Sequence, residues 1–119
     1  MVLVDTSVWV DHFRFGNPRL VGLLENGDVV SHPFIIGELA CGSLPERTNT
    51  LGCLLELPRT SVAGQGEVMN LIEGHRLMGT GLGFIDVHLL AAARLDGIPI
   101  WTQDIPLKKA AAKLSVGFP

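Results

Sequence analysis

The sequence predicts an α/β fold with a mainly parallel sheet, and three observations predict it. Short apolar runs alternate with stretches of helical periodicity along all 119 residues. The first run, Val2-Leu3-Val4, reads as a short buried strand and stops at an acid, Asp5. Prolines stand where helices would begin, as in Asn17-Pro18, where Asn supplies an N-cap and Pro the first helical position.

Taken in order, Thr6 and Ser7 can cap a first helix bearing Val8, Trp9 and Phe13. The second helix, from Pro18, has an apolar stripe of Leu20, Leu23 and Leu24 and stops at Gly27. Residues 28–31 form a second strand. Pro33 opens a third helix reaching about Gly42, and Pro45 opens a fourth that runs to Leu57 and is closed by Pro58. Residues 59–63 are a candidate short strand. Residues 65–78 form a helix with Val68, Leu71, Ile72, His75 and Met78 on one side. Gly79, Gly81 and Gly83 make a turn; with no strand before them and no Lys-Ser/Thr after, they are a poor phosphate loop. Phe84 to Leu95 is the clearest helix, ended by Asp96-Gly97. Residues 98–102 form a strand whose Pro99 suits its start or a sheet edge. Residues 106–113 form the last helix and 115–118 a possible edge strand. The sheet thus has four to five strands, in a single domain spanning residues 1–119.

Composition excludes several classes. With 47% hydrophobic residues and a mean hydropathy of +0.37, the chain is not a disordered one. No apolar run approaches the ~20 residues of a membrane span, and the first residues carry no basic stretch of the kind that opens a secretory signal. Cys41 and Cys53 lack any metal-ligand spacing and read as two reduced thiols. These features predict a cytoplasmic protein with no membrane partner. The net charge of −3 argues at first against nucleic acid, but the sum misleads where acids cluster in one site. Without Asp5, Glu38, Asp86 and Asp104, eight acids face nine Lys and Arg, a remainder of +1.

Those four acids stand where acids are costly. Glu38 follows Ile35 by three residues and precedes Cys41 by three, which predicts a place in the apolar stripe of its helix. Asp86 precedes Leu89 and Leu90 by three and four and is predicted on a core-facing stripe. Asp5 and Asp104 end strands, the place where open α/β sheets bind ligands. No basic residue is spaced to pair with Glu38 or Asp86 within its own helix. Four carboxylates brought together would repel and protonate unless a divalent cation joined them. Oxygen donors select Mg²⁺ or Mn²⁺, and the absence of a Cys or His cluster argues against zinc. Taken singly, Asp5 and Asp104 can be helix caps and Asp86 a first-turn acid favoured by the helix dipole. The histidines His12, His32, His75 and His88 show no ligand spacing. Trp9 and Trp101 read as core or pocket wall, and Lys108, Lys109 and Lys113 as a solvated face able to meet phosphates.

With all four stretches placed, the chain resembles PIN-domain ribonucleases, specifically VapC-type toxins of bacterial toxin–antitoxin pairs. The matching pieces are Val4-Asp-Thr-Ser-Val-Trp9, His32-Pro-Phe-Ile-Ile-Gly-Glu-Leu39, Gly83-Phe-Ile-Asp-Val-His-Leu-Leu-Ala-Ala92 and Trp101-Thr-Gln-Asp104. They span nearly the whole chain in the family's order. The resemblance implies a PIN-like three-layer fold, and an acidic pocket of Asp5, Glu38, Asp86 and Asp104 holding one or two Mg²⁺ or Mn²⁺ ions. It implies Thr6 and Thr102 as supporting hydroxyls, a homodimer, and an antitoxin whose C-terminal segment covers the groove. It also implies hydrolysis of phosphodiester bonds in structured RNA by a metal-activated water, leaving 5′-phosphate and 3′-hydroxyl ends. Gln103, Ile105 and Pro106 depart from the charged residues that many relatives have around the last Asp. Arg14, Arg76 and Lys108 are candidates for the RNA-binding rim. The rival reading is a non-catalytic module whose acidic pocket receives a partner's arginine; a third is a phosphatase acting on a small phosphoester.

Overall fold

The computed structural model describes residues 1–119. Three parallel strands, β1 (Val2–Val4), β2 (Val29–Val30) and β3 (Ile100–Trp101), form the sheet in the order β2-β1-β3. Single parallel bridges extend both edges, Ser31 with Arg59 and Ile100 with Gly117. The two expected extra strands at 59–63 and 115–118 are therefore one-residue pairings. Pro58 and Gly117 limit them, the first lacking an N–H and the second a side chain to pack.

Seven helices cover the sheet: α1 (Thr6–Phe15), α2 (Pro18–Glu25), α3 (Pro33–Ala40), α4 (Arg47–Glu56), α5 (Gln65–His75), α6 (Phe84–Asp96) and α7 (Ile105–Lys113). Every residue of β1 is buried, as the central strand of a doubly covered parallel sheet requires. Around it pack Val8, Leu20, Ile35, Leu89, Leu90 and Leu107, all fully buried. Residues Val87 to Ala93 of α6 are buried without interruption, so this helix runs through the core rather than over it. No helix is long and apolar enough to cross a membrane.

Several local expectations are corrected. Asp5 rather than Thr6 or Ser7 caps α1, because its extended backbone lets the carboxylate accept the Ser7 N–H. α4 starts at Arg47, two residues after Pro45; Arg47 donates to the Gly42 and Ala40 carbonyls and pins the preceding loop. α5 stops at His75, where Arg76 turns left-handed (φ 51°). The turn buries Leu77 and leaves Met78 51% exposed, so Met78 does not belong to the buried face. Both cysteines are free and exposed.

His32 caps α3, which the sequence did not suggest: its Nδ1 accepts the Phe34 N–H at 3.0 Å. That acceptor role assigns the ring proton to Nε2, a buried atom with no hydrogen-bond partner. Burial, followed by the charge of His88, lowers the His32 pKa to about 4. Between pH 6.5 and 4 the unfolded chain binds a proton that the folded chain refuses. Stability is then complete above pH 6.5 and falls toward pH 4, by about 2 kcal/mol after allowance for solvent screening. Thermal unfolding between pH 6.5 and 4.5 should show wild type losing more Tm than His32→Asn, which keeps a capping oxygen and removes the titration. Parallel losses would refute the assignment.

Candidate active site at the carboxyl ends of the strands

β1 delivers Asp5 to the carboxyl edge of the sheet, and β3 delivers Thr102 and Asp104 beside it. Asp5 is 6% exposed, and its Oδ2 accepts two hydroxyl protons, from Ser7 Oγ and Thr102 Oγ1, each at 2.8 Å. Each hydroxyl is in turn fixed by a backbone donor: Gln103 N–H donates to Ser7 Oγ at 2.9 Å and Asp104 N–H to Thr102 Oγ1 at 3.0 Å. Two backbone donors, two hydroxyls and one carboxylate oxygen thus tie the turn after β3 to the end of β1. Charge-assisted bonds of this kind are short and strong. Through Thr102 they also link the backbone of Asp104 to Asp5.

The remaining acids are anchored on the same principle. Asp104 caps α7, its Oδ2 accepting the Leu107 N–H at 3.1 Å. Asp86 closes the first turn of α6, its Oδ2 accepting the Gly83 N–H at 2.9 Å. Glu38 Oε1 accepts the hydroxyl of Thr6, the neighbour of Asp5, at 2.9 Å. The cap and first-turn roles weighed for Asp5, Asp86 and Asp104 all occur, yet each uses a single oxygen. Asp5 Oδ1, Asp86 Oδ1, Asp104 Oδ1 and Glu38 Oε2 take no hydrogen bond from the protein.

Electrostatics connects three of them directly. Burial raises the pKa of Asp86, and the charges of Asp104 and Asp5 raise it further against the opposing Gly83 N–H. Such repulsion requires the three groups to lie near one another. Glu38 is placed differently from its sequence expectation. It is exposed, because the eight-residue α3 buries Ile35, Ile36 and Leu39 and leaves Glu38 and Cys41 at the margin. The Thr6 bond nevertheless brings it to the start of α1. No three His, Cys, Asp or Glu side chains are gathered closely enough to form a finished metal-ligand set. The donors themselves suit a hard cation: all are carboxylate oxygens, each with one oxygen unclaimed.

Of the other expected residues, Thr6 and Thr102 both bond an acid of the group. Lys108 lies one helical turn beyond Asp104 and is exposed. Arg14 sits near the end of α1, roughly 13 Å along the helix axis from Asp5 at 1.5 Å per residue. Arg76 is the C-cap of α5, next to His75, which meets Arg94 in the last turn of α6. Arg94 lies eight residues, about 12 Å of helix, beyond Asp86. Ser7 is the residue that sequence reasoning missed. Its two-residue offset from Asp5 is the spacing of a side chain bonding back to an acid, and that signal was available.

Comparison with known proteins gives the family and the fold. The family described as "PIN domain" matches residues 2–113. Ribonuclease VapC32 of Mycobacterium tuberculosis, in strains CDC 1551 / Oshkosh and ATCC 25618 / H37Rv, is 43% identical over 119 residues, covering 99% of this chain and 96% of the relative. The crystal structure of PAE2754 from Pyrobaculum aerophilum superposes with a TM-score of 0.65 at 16% identity, covering 96% of this chain and 94% of that one, and speaks to the fold.

Proposed function

The chain belongs to the PIN-domain family, and on that premise we propose that it is a metal-dependent endoribonuclease, the toxin of a toxin–antitoxin pair. The observation that supports this most is the half-anchored state of the four acids. Asp5, Glu38, Asp86 and Asp104 each spend one oxygen on a donor of the protein's own and keep the other for a ligand. These four are the residues that would hold Mg²⁺ or Mn²⁺. When bound, such a cation lowers the pKa of a water molecule and balances charge on a phosphate.

The chain's own residues have distinct tasks in this reading. Ser7 and Thr102 fix the plane of the Asp5 carboxylate, so that its free oxygen points one way without reorganisation. Thr6 does the same for Glu38. Gly83 N–H holds Asp86 and partly offsets the burial and repulsion that favour its protonation, which keeps it available as a ligand. Phe84 and Ile105, 50% and 66% exposed beside Asp86 and Asp104, offer apolar rim surface. The substrate is structured RNA, with tRNA or rRNA loops read in single-stranded form. Lys108 is the best placed of the three basic rim candidates; Arg14 and Arg76 would meet more distant parts of a folded RNA. A homodimer in the cytoplasm, silenced by a cognate antitoxin over the groove, completes the proposal.

Incubation of the pure protein with tRNA and rRNA in Mg²⁺ or Mn²⁺ should give fragments with 5′-phosphate and 3′-hydroxyl ends. A chelator should stop the cleavage, and Asp86→Asn should slow it by about 10²- to 10³-fold, the usual cost of losing one charge-stabilising group. An RNA panel left intact by a protein that still binds its partner would replace this reading with the arginine-receiving module. Turnover of nitrophenyl phosphate without RNA cleavage would replace it with the phosphatase.

A further inference from the structure

Beside the acidic group, on the α7 side, lies a small cavity of about 90 Å³ lined by Arg19, Trp101, Thr102, Lys108 and Phe118 among others. Two cations line it, and the main-chain oxygen of Pro119 is among its other lining groups. Its wall is continuous with the site already described: Thr102 reaches the cavity and bonds Asp5, and Lys108 lies one turn after Asp104 on α7. The volume exceeds the ~10–15 Å³ needed for one water and falls well below the ~300–1,000 Å³ of a small-molecule pocket. A group of a few heavy atoms fits.

Arg19 is an exposed residue whose guanidinium is nonetheless held at this cavity by its neighbours. Its guanidinium lies 5.3 Å from the Trp101 ring centroid and 4.3 Å from that of Phe118, a cation–π seat on two rings. One nitrogen donates to the Pro119 carbonyl, and the others have no protein acceptor. A guanidinium held over two aromatic rings keeps its remaining N–H groups as a planar fork, the geometry that matches phosphate oxygens. The acidic group next door would repel an RNA strand until the strand was held by cations close by.

The geometry points to Arg19 and Lys108, with Trp101 as the seat of Arg19, as a subsite that holds a backbone phosphate of the RNA strand next to the bond being cut. This rests on the ribonuclease reading and adds to it the place where the neighbouring phosphate sits. Trp101 is a positioning residue, acting through Arg19.

The test is anisotropy of a fluorescein-labelled single-stranded RNA 12-mer, with chelator present to prevent cleavage, titrated with full-length protein over a range of salt. Lys108→Gln and Arg19→Gln should each weaken binding by roughly fivefold to tenfold at low salt. Each should also flatten the slope of log K against log salt by about 0.7, the value for one phosphate contact to a single strand. Trp101→Leu should weaken binding to a similar extent, and Arg19→Lys should not restore it, because a lysine keeps the charge and loses the planar fork. Lys109→Gln, whose side chain faces a different cavity beside Leu77, Thr80 and Pro106, should leave Kd and slope unchanged. Lys108 is exposed, so its variant folds even if Arg19 proves necessary for anchoring the C-terminal residues. Wild-type binding and cleavage with unchanged Kd and slope in Lys108→Gln and Arg19→Gln would overturn the subsite and leave the ribonuclease reading standing. Wild type that neither binds nor cuts RNA would overturn both. A Tm rise with millimolar inorganic phosphate, lost in Arg19→Gln while RNA affinity is unchanged, would overturn it in favour of a free-anion site.

Discussion

Asp5→Asn is expected to lower the rate of RNA cleavage by about 10³-fold while moving Tm by no more than a few degrees. The substitution is close to isosteric, and Asn caps helices as well as Asp does. Its carbonyl oxygen can accept the Ser7 and Thr102 hydroxyls that Asp5 Oδ2 accepts, so the turn after β3 keeps its attachment to β1. What disappears is one negative charge at the most buried of the four acids. A cation site loses a ligand of full charge, and groups that stabilise developing charge cost ~10²–10³ in rate when removed singly. Asp5 stands at the upper end of that range because two hydroxyls and two backbone N–H groups are committed to orienting it. The same change relieves one of the two charges that raise the Asp86 pKa, so a loss of activity cannot be blamed on protonation of Asp86. Single-turnover cleavage with saturating Mn²⁺, beside a thermal melt, makes the measurement. Activity within tenfold of wild type would remove Asp5 from the site and sink the four-acid arrangement.

The parts of this arrangement that were legible in the sequence share a cause. Asp5 and Asp104 could be placed because a carboxylate that ends a short apolar run occupies the ligand edge of a parallel sheet, whatever packs around it. Pro18, Pro33 and the Asp96-Gly97 stop marked helix ends through backbone chemistry that tertiary context rarely overrides. The illegible parts depended on packing. Glu38 looked like a member of an apolar stripe because Ile35 and Cys41 flank it at helical spacing. A helix of only eight residues cannot bury both sides of that stripe, and Glu38 faces the rim of the site instead. The continuous burial of Val87 to Ala93 erased the polar face by which a periodic reading orients a helix. Asp86 is singled out by its spacing from Leu89 and Leu90 together with the cost of burying a carboxylate. Ser7 meets Thr102, 95 positions away, at the shared Asp5 Oδ2, and no local pattern announces that second partner. The seat of Arg19 on Trp101 and Phe118 is of the same kind, a contact among α2, β3 and the C-terminal residues that only the closed fold creates.

Leu3→Ala should have the opposite profile, a large loss of stability with chemistry preserved at temperatures where the protein remains folded. Leu3 is fully buried at the centre of β1, paired to Val30 on one side and Ile100 on the other. Truncating a buried Leu to Ala costs ~2–5 kcal/mol, the upper part where surrounding atoms cannot collapse into the space. A strand hydrogen-bonded on both edges and covered by helices on both faces has little room to move, so about 4 kcal/mol is expected here. Against the ~5–15 kcal/mol that holds a domain of this size together, that is a severe change, lowering Tm by roughly 10–15 °C. Leu55→Ala on α4, where the side chain is 51% exposed, should cost under about 0.5 kcal/mol and serves as the contrast. Urea unfolding with equal m-values for the three proteins makes the comparison quantitative. A loss below 1 kcal/mol at Leu3 would mean that β1 is not the clamped centre of the sheet. Asp5 stands two residues further along the chain, just past the end of β1, and owes its place to that clamp. Cleavage by Leu3→Ala at low temperature tests this link: a rate within severalfold of wild type, beside a Tm many degrees lower, separates what holds the site in position from what the site does.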